Sequence, residues 1–117
     1  MKVSATTHIS DIKNAFSEQF EGLKIEFFKS SHDTDEASPK EDMIGEDLPL
    51  GDLNSNMANA TLAWNKDMAV QEVEEFFEKN LGLHVQVFCR LGRNWIETSA
   101  TDSYSLREQM DRHKATV

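Results

Sequence analysis

Cysteine occurs once in this 117-residue chain, as Cys89. One thiol excludes an internal disulfide framework, so the fold must rest on its core, and it suits a reducing compartment. Long apolar runs are missing as well. None approaches 18 residues, and the opening MKVSATTHIS has no apolar segment of the kind that begins a signal peptide. A soluble cytosolic (cytoplasmic) protein without a membrane span is therefore the expectation. Basic residues are scarce: 12 Lys and Arg stand against 21 Asp and Glu, for a formal net charge of −9. Gripping nucleic acid takes clustered cations that displace counterions from phosphates, so no nucleic-acid partner is expected. Phosphate loop, dinucleotide fingerprint, nucleophile elbow and metalloprotease helix are also absent from the sequence. These absences favour a non-enzymatic role and give no reason to expect a cofactor.

The acids that are present are unevenly placed. Eight lie between Asp33 and Asp52, at 33, 35, 36, 41, 42, 46, 47 and 52, against the single base Lys40. That segment carries −7 of the −9, and the rest of the chain is close to neutral. A charge run of this kind reads first as a solvated loop, here 31–47, and second as a docking surface for a basic partner. Within it, SHDTDE at 31–36 gathers His32, Asp33, Asp35 and Glu36 as potential metal ligands. Their spacing fits no zinc motif, and the Ca²⁺-loop template lacks its glycine, so no metal site is expected.

One pattern occurs twice. GLKIEFFKS at 22–30 and GLHVQVFCR at 82–90 each follow an apolar series at helical spacing: Ile9, Ile12, Phe16, Phe20 and Val70, Val73, Phe77, Leu81. The offset is 61 residues in the helices and 60 in the strands, because Glu21 is one extra residue before Gly22. Gly22 and Gly82 stand where a helix C-terminus favours positive φ. Alternation then places Leu23, Ile25, Phe27 and Leu83, Val85, Val87 on one face, with Lys24, Glu26, His84 and Gln86 on the other. Lys2–Ala5 and Ala60–Trp64 read as short leading strands. RLGRN at 90–94 reads as a hairpin turn before a returning strand at 95–98, with Met43-Ile44 as its counterpart. Each half closes on an acid and a short helix, 47–53 and 102–110, the second with Asp102, Ser103 or a Ser105/Glu108 capping box at its start.

The reading is a single α+β domain, 1–117, built as a tandem β-α-β-β(-α) duplication. The first repeat covers about 1–55 and the second about 60–113. A mainly antiparallel sheet of roughly four to six strands is expected, with the two long helices packed on one face. One unit alone has too small a core to stand; two complete each other's interior.

A family resemblance is carried by Val70, Val73 and Phe77, by GLHVQVFCRLGRNWIET at 82–98, and by Thr101, Asp102, Leu106 and Gln109. With these residues the chain resembles a family of small bacterial proteins that lack an assigned function. The resemblance spans roughly residues 22–110, including Ser38-Pro-Lys40, and is strongest from 68 onward. The family pattern reads Phe-Arg-Lys-Ser-Gly where this chain has FCRLG at 88–92, and Trp in place of Tyr104. The resemblance implies a bacterial α+β protein and transfers no catalytic residue.

Candidate chemistry is thin. His84 lies five residues before Cys89 in the same strand, so the two side chains point to opposite faces and make a poor nucleophilic pair. Cys89 itself continues the core register and reads as a small hydrophobe. Phe28 and Phe88 occupy equivalent outward positions, and Trp95 on the returning strand lies near Phe88. They are either ordinary cross-strand pairs or the core of a protein or homodimer interface. The leading expectation is a protein–protein interaction module of the cytosol using Phe28, Phe88 and Trp95. The alternative is a small enzyme or ligand-binding sensor with a pocket at Trp95, Glu97, Thr98 and Asp102 near the second hairpin.

Overall fold

A computed structural model describes residues 1–29 and 40–117. The expected metal-ligand stretch 31–36 and most of the acidic loop lie outside the described residues. The first half supplies β1 (Lys2–Val3), α1 (Ile9–Gln19), β2 (Leu23–Phe28) and α2 (Leu50–Leu53). The second supplies β3 (Ala60–Thr61), α3 (Val70–Phe76), β4 (His84–Leu91), β5 (Asn94–Glu97) and α4 (Leu106–Lys114). The protein is α+β, and all its strand pairings are antiparallel.

The strands divide between two sheets rather than one. β1 pairs only with β3, while β2, β4 and β5 form a three-stranded sheet in the order β2-β4-β5. The leading strands are two residues long each, too short to reach the main ladder. Met43 bridges to Phe28 and so extends the larger sheet beyond β2.

Backbone hydrogen bonding repeats from one half to the other at the offsets legible in the sequence. Ile9 N donates to Leu48 O and Val70 N to Tyr104 O, both at 2.9 Å. Leu50 N donates to Thr7 O as Leu106 N does to Met68 O, and Gly51 N to Ala5 O as Arg107 N does to Lys66 O. Ile44 N reaches Phe27 O as Thr98 N reaches Val87 O, which makes Met43-Ile44 the counterpart of the end of β5. At the helix starts, the His8 amide bonds the Asp11 carboxylate and the Ala69 amide the Glu72 carboxylate. α4 begins differently, at Ser105, whose hydroxyl accepts from Glu108 N while the Glu108 carboxylate accepts from Ser105 N.

The one-residue difference between the halves is absorbed at the helix ends. α1 stops at Gln19 and spends Phe20 and Glu21 before Gly22, whereas α3 widens into a π turn, Phe77–Leu81, that runs straight into Gly82. Both glycines have positive φ, +82° and +63°, as a helix C-terminus turning into a strand requires.

Ile9, Ile12, Phe16 and Phe20 meet Val70, Val73, Phe77 and Leu81 in one cluster over Leu23, Ile25, Phe27, Val85, Val87 and Cys89. α4 adds Leu106 and Met110, so the core rests on three helices and not on the two long ones alone. Trp64 joins the halves: its ring lies 5.2 Å from Phe16 and 6.4 Å from Phe77, and its Nε1 donates to Gln19 Oε1. Edge-to-face packing of this sort adds to what burial alone contributes.

Candidate functional site

Register assembles the site. Because β2 and β4 run antiparallel with Glu26 opposite Gln86, Lys24 falls opposite Phe88 and Phe28 opposite His84. β5 then places Trp95 opposite Arg90 and Glu97 opposite Phe88. Lys24 Nζ ends 5.3 Å from the centre of the Phe88 ring and 4.8 Å from that of Trp95, within range of a cation–π attraction to both. Lys24, Lys40, Met43, Phe88, Trp95 and Glu97 line a cavity of about 400 Å³. Two ammonium groups thus face one carboxylate over an apolar floor, on a chain that is strongly acidic overall.

The same arrangement recurs at the other end of the strand pair. Phe28 and His84 take the places of Phe88 and Lys24, and with Lys29, Ile44, Asp52 and Leu53 they line a cavity of about 250 Å³. His84 Nδ1 is 3.7 Å from Glu78 Oε1, too far for a hydrogen bond. Phe28 and Phe88 lie four register positions apart, roughly 13 Å at strand spacing, so they do not form one patch.

Both phenylalanines are largely covered, Phe28 at 3% and Phe88 at 7% exposure, while Trp95 keeps 39%. Phe88, Trp95 and Glu97 are therefore brought together, and Phe28 is not. Thr98 and Asp102 line neither cavity. Thr98 is buried, with Oγ1 donating to Val87 O at 2.8 Å, and the Asp102 carbonyl accepts the Gln71 amide at 2.8 Å, tying the start of α3 to the segment before α4. Lys24, Lys40 and Met43 were not picked out by the sequence reading. A lysine at an alternate strand position looks like a solvent contact until the register sets it against an aromatic ring.

Two other polar positions also depart from the wet face that alternation assigns them. Glu26 is 6% and Gln86 0% exposed. Lys13 Nζ pairs with Glu26 Oε1 at 2.7 Å, and Gln86 Nε2 donates to Glu74 Oε2 at 3.1 Å. Lys13 and Glu74 are themselves equivalent positions on α1 and α3. Glu74 Oε2 also takes the Val87 amide at 3.0 Å, supplying an acceptor beside Thr98, where β5 has ended.

Nucleophilic chemistry has no foothold at the Lys24 cavity. The Cys89 thiol is buried, donates to Gln109 O, and is pushed up in pKa by its burial, with Arg112 and His113 only partly opposing this. Among the described residues, no group of three or more His, Cys, Asp and Glu side chains could hold a metal, and no helix is long and apolar enough to cross a membrane. The arrangement can bind, through cations and aromatic faces. No protein-family model, curated protein or solved structure matches the chain.

Proposed function

We propose that this protein is a non-enzymatic binding module of the bacterial cytosol, that it belongs to the small bacterial family its second half resembles, and that it arose by tandem duplication. It takes hold of a partner protein through the Lys24, Phe88, Trp95 and Glu97 cavity. The observation that carries this reading is Lys24 Nζ poised over both aromatic rings beside a half-exposed Trp95. Aromatic residues in such settings dominate the energetics of interface cores. The excess of ammonium over carboxylate favours an acidic or aromatic side chain of the partner.

Capture from a cell lysate by immobilised protein tests the reading. A partner retained by the native chain, and lost with either Trp95→Ala or Lys24→Ala, supports it. Equal retention by both variants rejects it. The cavity's size favours a second reading, since about 400 Å³ falls within the range that holds small ligands. A sensor for a small anionic aromatic molecule would show ligand-dependent thermal stabilisation that Phe88→Ala abolishes.

A further inference from the structure

The β4–β5 hairpin ends the larger sheet, and β5 is its edge strand. Exposure along it is continuous from Gly92 to Ile96, and it includes Trp95 at 39% and Ile96 at 45%. Edge strands ordinarily carry charge, bulges or a covering element that block pairing with another chain. Here two large apolar residues sit side by side on the edge, one on each face of the strand, with Arg93 before them and Glu97 after.

The backbone directions follow from the ladder. Thr98 N donates to Val87 O, and hydrogen-bonded pairs alternate along an antiparallel ladder. Ile96 therefore exchanges bonds with Cys89, and the Trp95 amide and carbonyl point away from β4, toward the open edge. A strand laid antiparallel along β5 would bond to Trp95 first.

We propose that this strand is a second copy of β5, paired about a two-fold axis at Trp95, so that the protein dimerises edge to edge. The proposal rests on reading the hairpin as a binding surface and names its partner. In this register Trp95 opposes Trp95 of the other copy, Asn94 opposes Ile96, and Arg93 opposes Glu97 twice. The edge is self-complementary in charge, which is the reason to assign it to the same chain rather than a foreign strand. A shift by two residues toward Glu97 forfeits the Arg93 pairings and sets Trp95 against Glu97, so opposite charges fix the register as well as the partner. The cross-strand tryptophan pair would bury the aromatic faces that the monomer leaves open. Because the strand is short and each chain carries −9, the dimer is a weak one, formed at physiological ionic strength where the long-range repulsion is screened.

Sedimentation velocity of the full chain, from micromolar to millimolar concentration, tests this with charge swaps at two exposed or half-exposed positions. The native protein is expected to shift from monomer to dimer. Arg93→Glu and Glu97→Arg should each weaken self-association by about tenfold or more, since each sets like charges opposite one another twice. Mixed in equal amounts, the two variants should form a heterodimer with restored affinity, an outcome no folding defect can imitate. A native chain that stays monomeric throughout, single swaps that dimerise as the native chain does, or a mixture that fails to associate each overturn the proposal. Partner capture through Lys24 is read separately, because Lys24→Ala leaves the Arg93 and Glu97 contacts intact.

Discussion

Glu26 and Gln86 lie directly opposite one another on β2 and β4, each the other's counterpart at an offset of 60 residues. An antiparallel pair in which equivalent residues face each other has its local two-fold axis at that point. The side chains there are not left to solvent. Lys13 covers one and Glu74 the other, from equivalent positions on α1 and α3. Symmetry of shape is kept while the chemistry differs, an ion pair on one side and a carboxylate–amide bond on the other.

Glu74→Ala should destabilise the fold by about 1–3 kcal/mol, because the Val87 amide and the Gln86 side-chain amide both lose their acceptor in a buried place. Urea denaturation followed by circular dichroism reads the change in midpoint. Lys13→Met should cost a similar amount by leaving the Glu26 carboxylate buried without its cation. A cost for either variant no larger than the ~1 kcal/mol of a surface pair would contradict the account.

Gly22 and Gly92 offer a controlled comparison. Both have positive φ, +82° and +64°, but a Cβ at Gly22 would run into the His113 ring whereas the space around Gly92 is open. Gly92→Ala should cost about 1–2 kcal/mol, the backbone penalty alone. Gly22→Ala should cost measurably more, and His113→Ala should recover the excess in a double-mutant cycle. Equal costs at the two glycines would show that the ring yields freely.

Asp47 governs part of the acid limb of stability. Its carboxylate accepts the Ser10 amide at 3.0 Å and the Ser10 hydroxyl at 2.9 Å, with His8 alongside at 3.4 Å. The Ser10 backbone bond, then the hydroxyl bond, and then His8 hold its pKa below the ordinary carboxylate range. A lowered folded-state pKa makes the contribution present above the unfolded value, about 4, and lost as pH falls through the folded one. Asp47→Asn should therefore flatten the fall in stability between roughly pH 4 and 2 while changing little of the pH dependence near neutrality. Denaturation midpoints of the two proteins across that range check it.

Cys89 should react slowly with an aromatic disulfide reagent at neutral pH. Its thiol is buried against Gln109 and its burial raises the pKa, so thiolate is scarce and shielded. Reaction should accelerate with urea in step with unfolding, and Gln109→Ala should hasten it by loosening α4. Rapid modification of the folded protein would refute this placement.

The helices were legible because Ile9–Phe20 and Val70–Leu81 carry the period of an amphipathic stripe with glycine at its end. Met43-Ile44 was legible only through its place in the repeat, and Ser105 with Glu108 through spacing. What could not be read is what covers a strand's second face. Glu26 and Gln86 alternate like wet residues, and only the approach of Lys13 and Glu74 buries them. Lys24 escaped notice for the same reason, since its pairing with Phe88 depends on register between distant segments. The division into two sheets was hidden too, because two-residue strands carry almost no periodicity.

Every ladder but the β4–β5 hairpin joins one half of the chain to the other: β1 to β3, and β2 to β4. Neither half closes its sheet without the other. Severing the backbone between Asn54 and Asn59 would turn folding into recognition, with two fragments obliged to find each other before either acquires an inside.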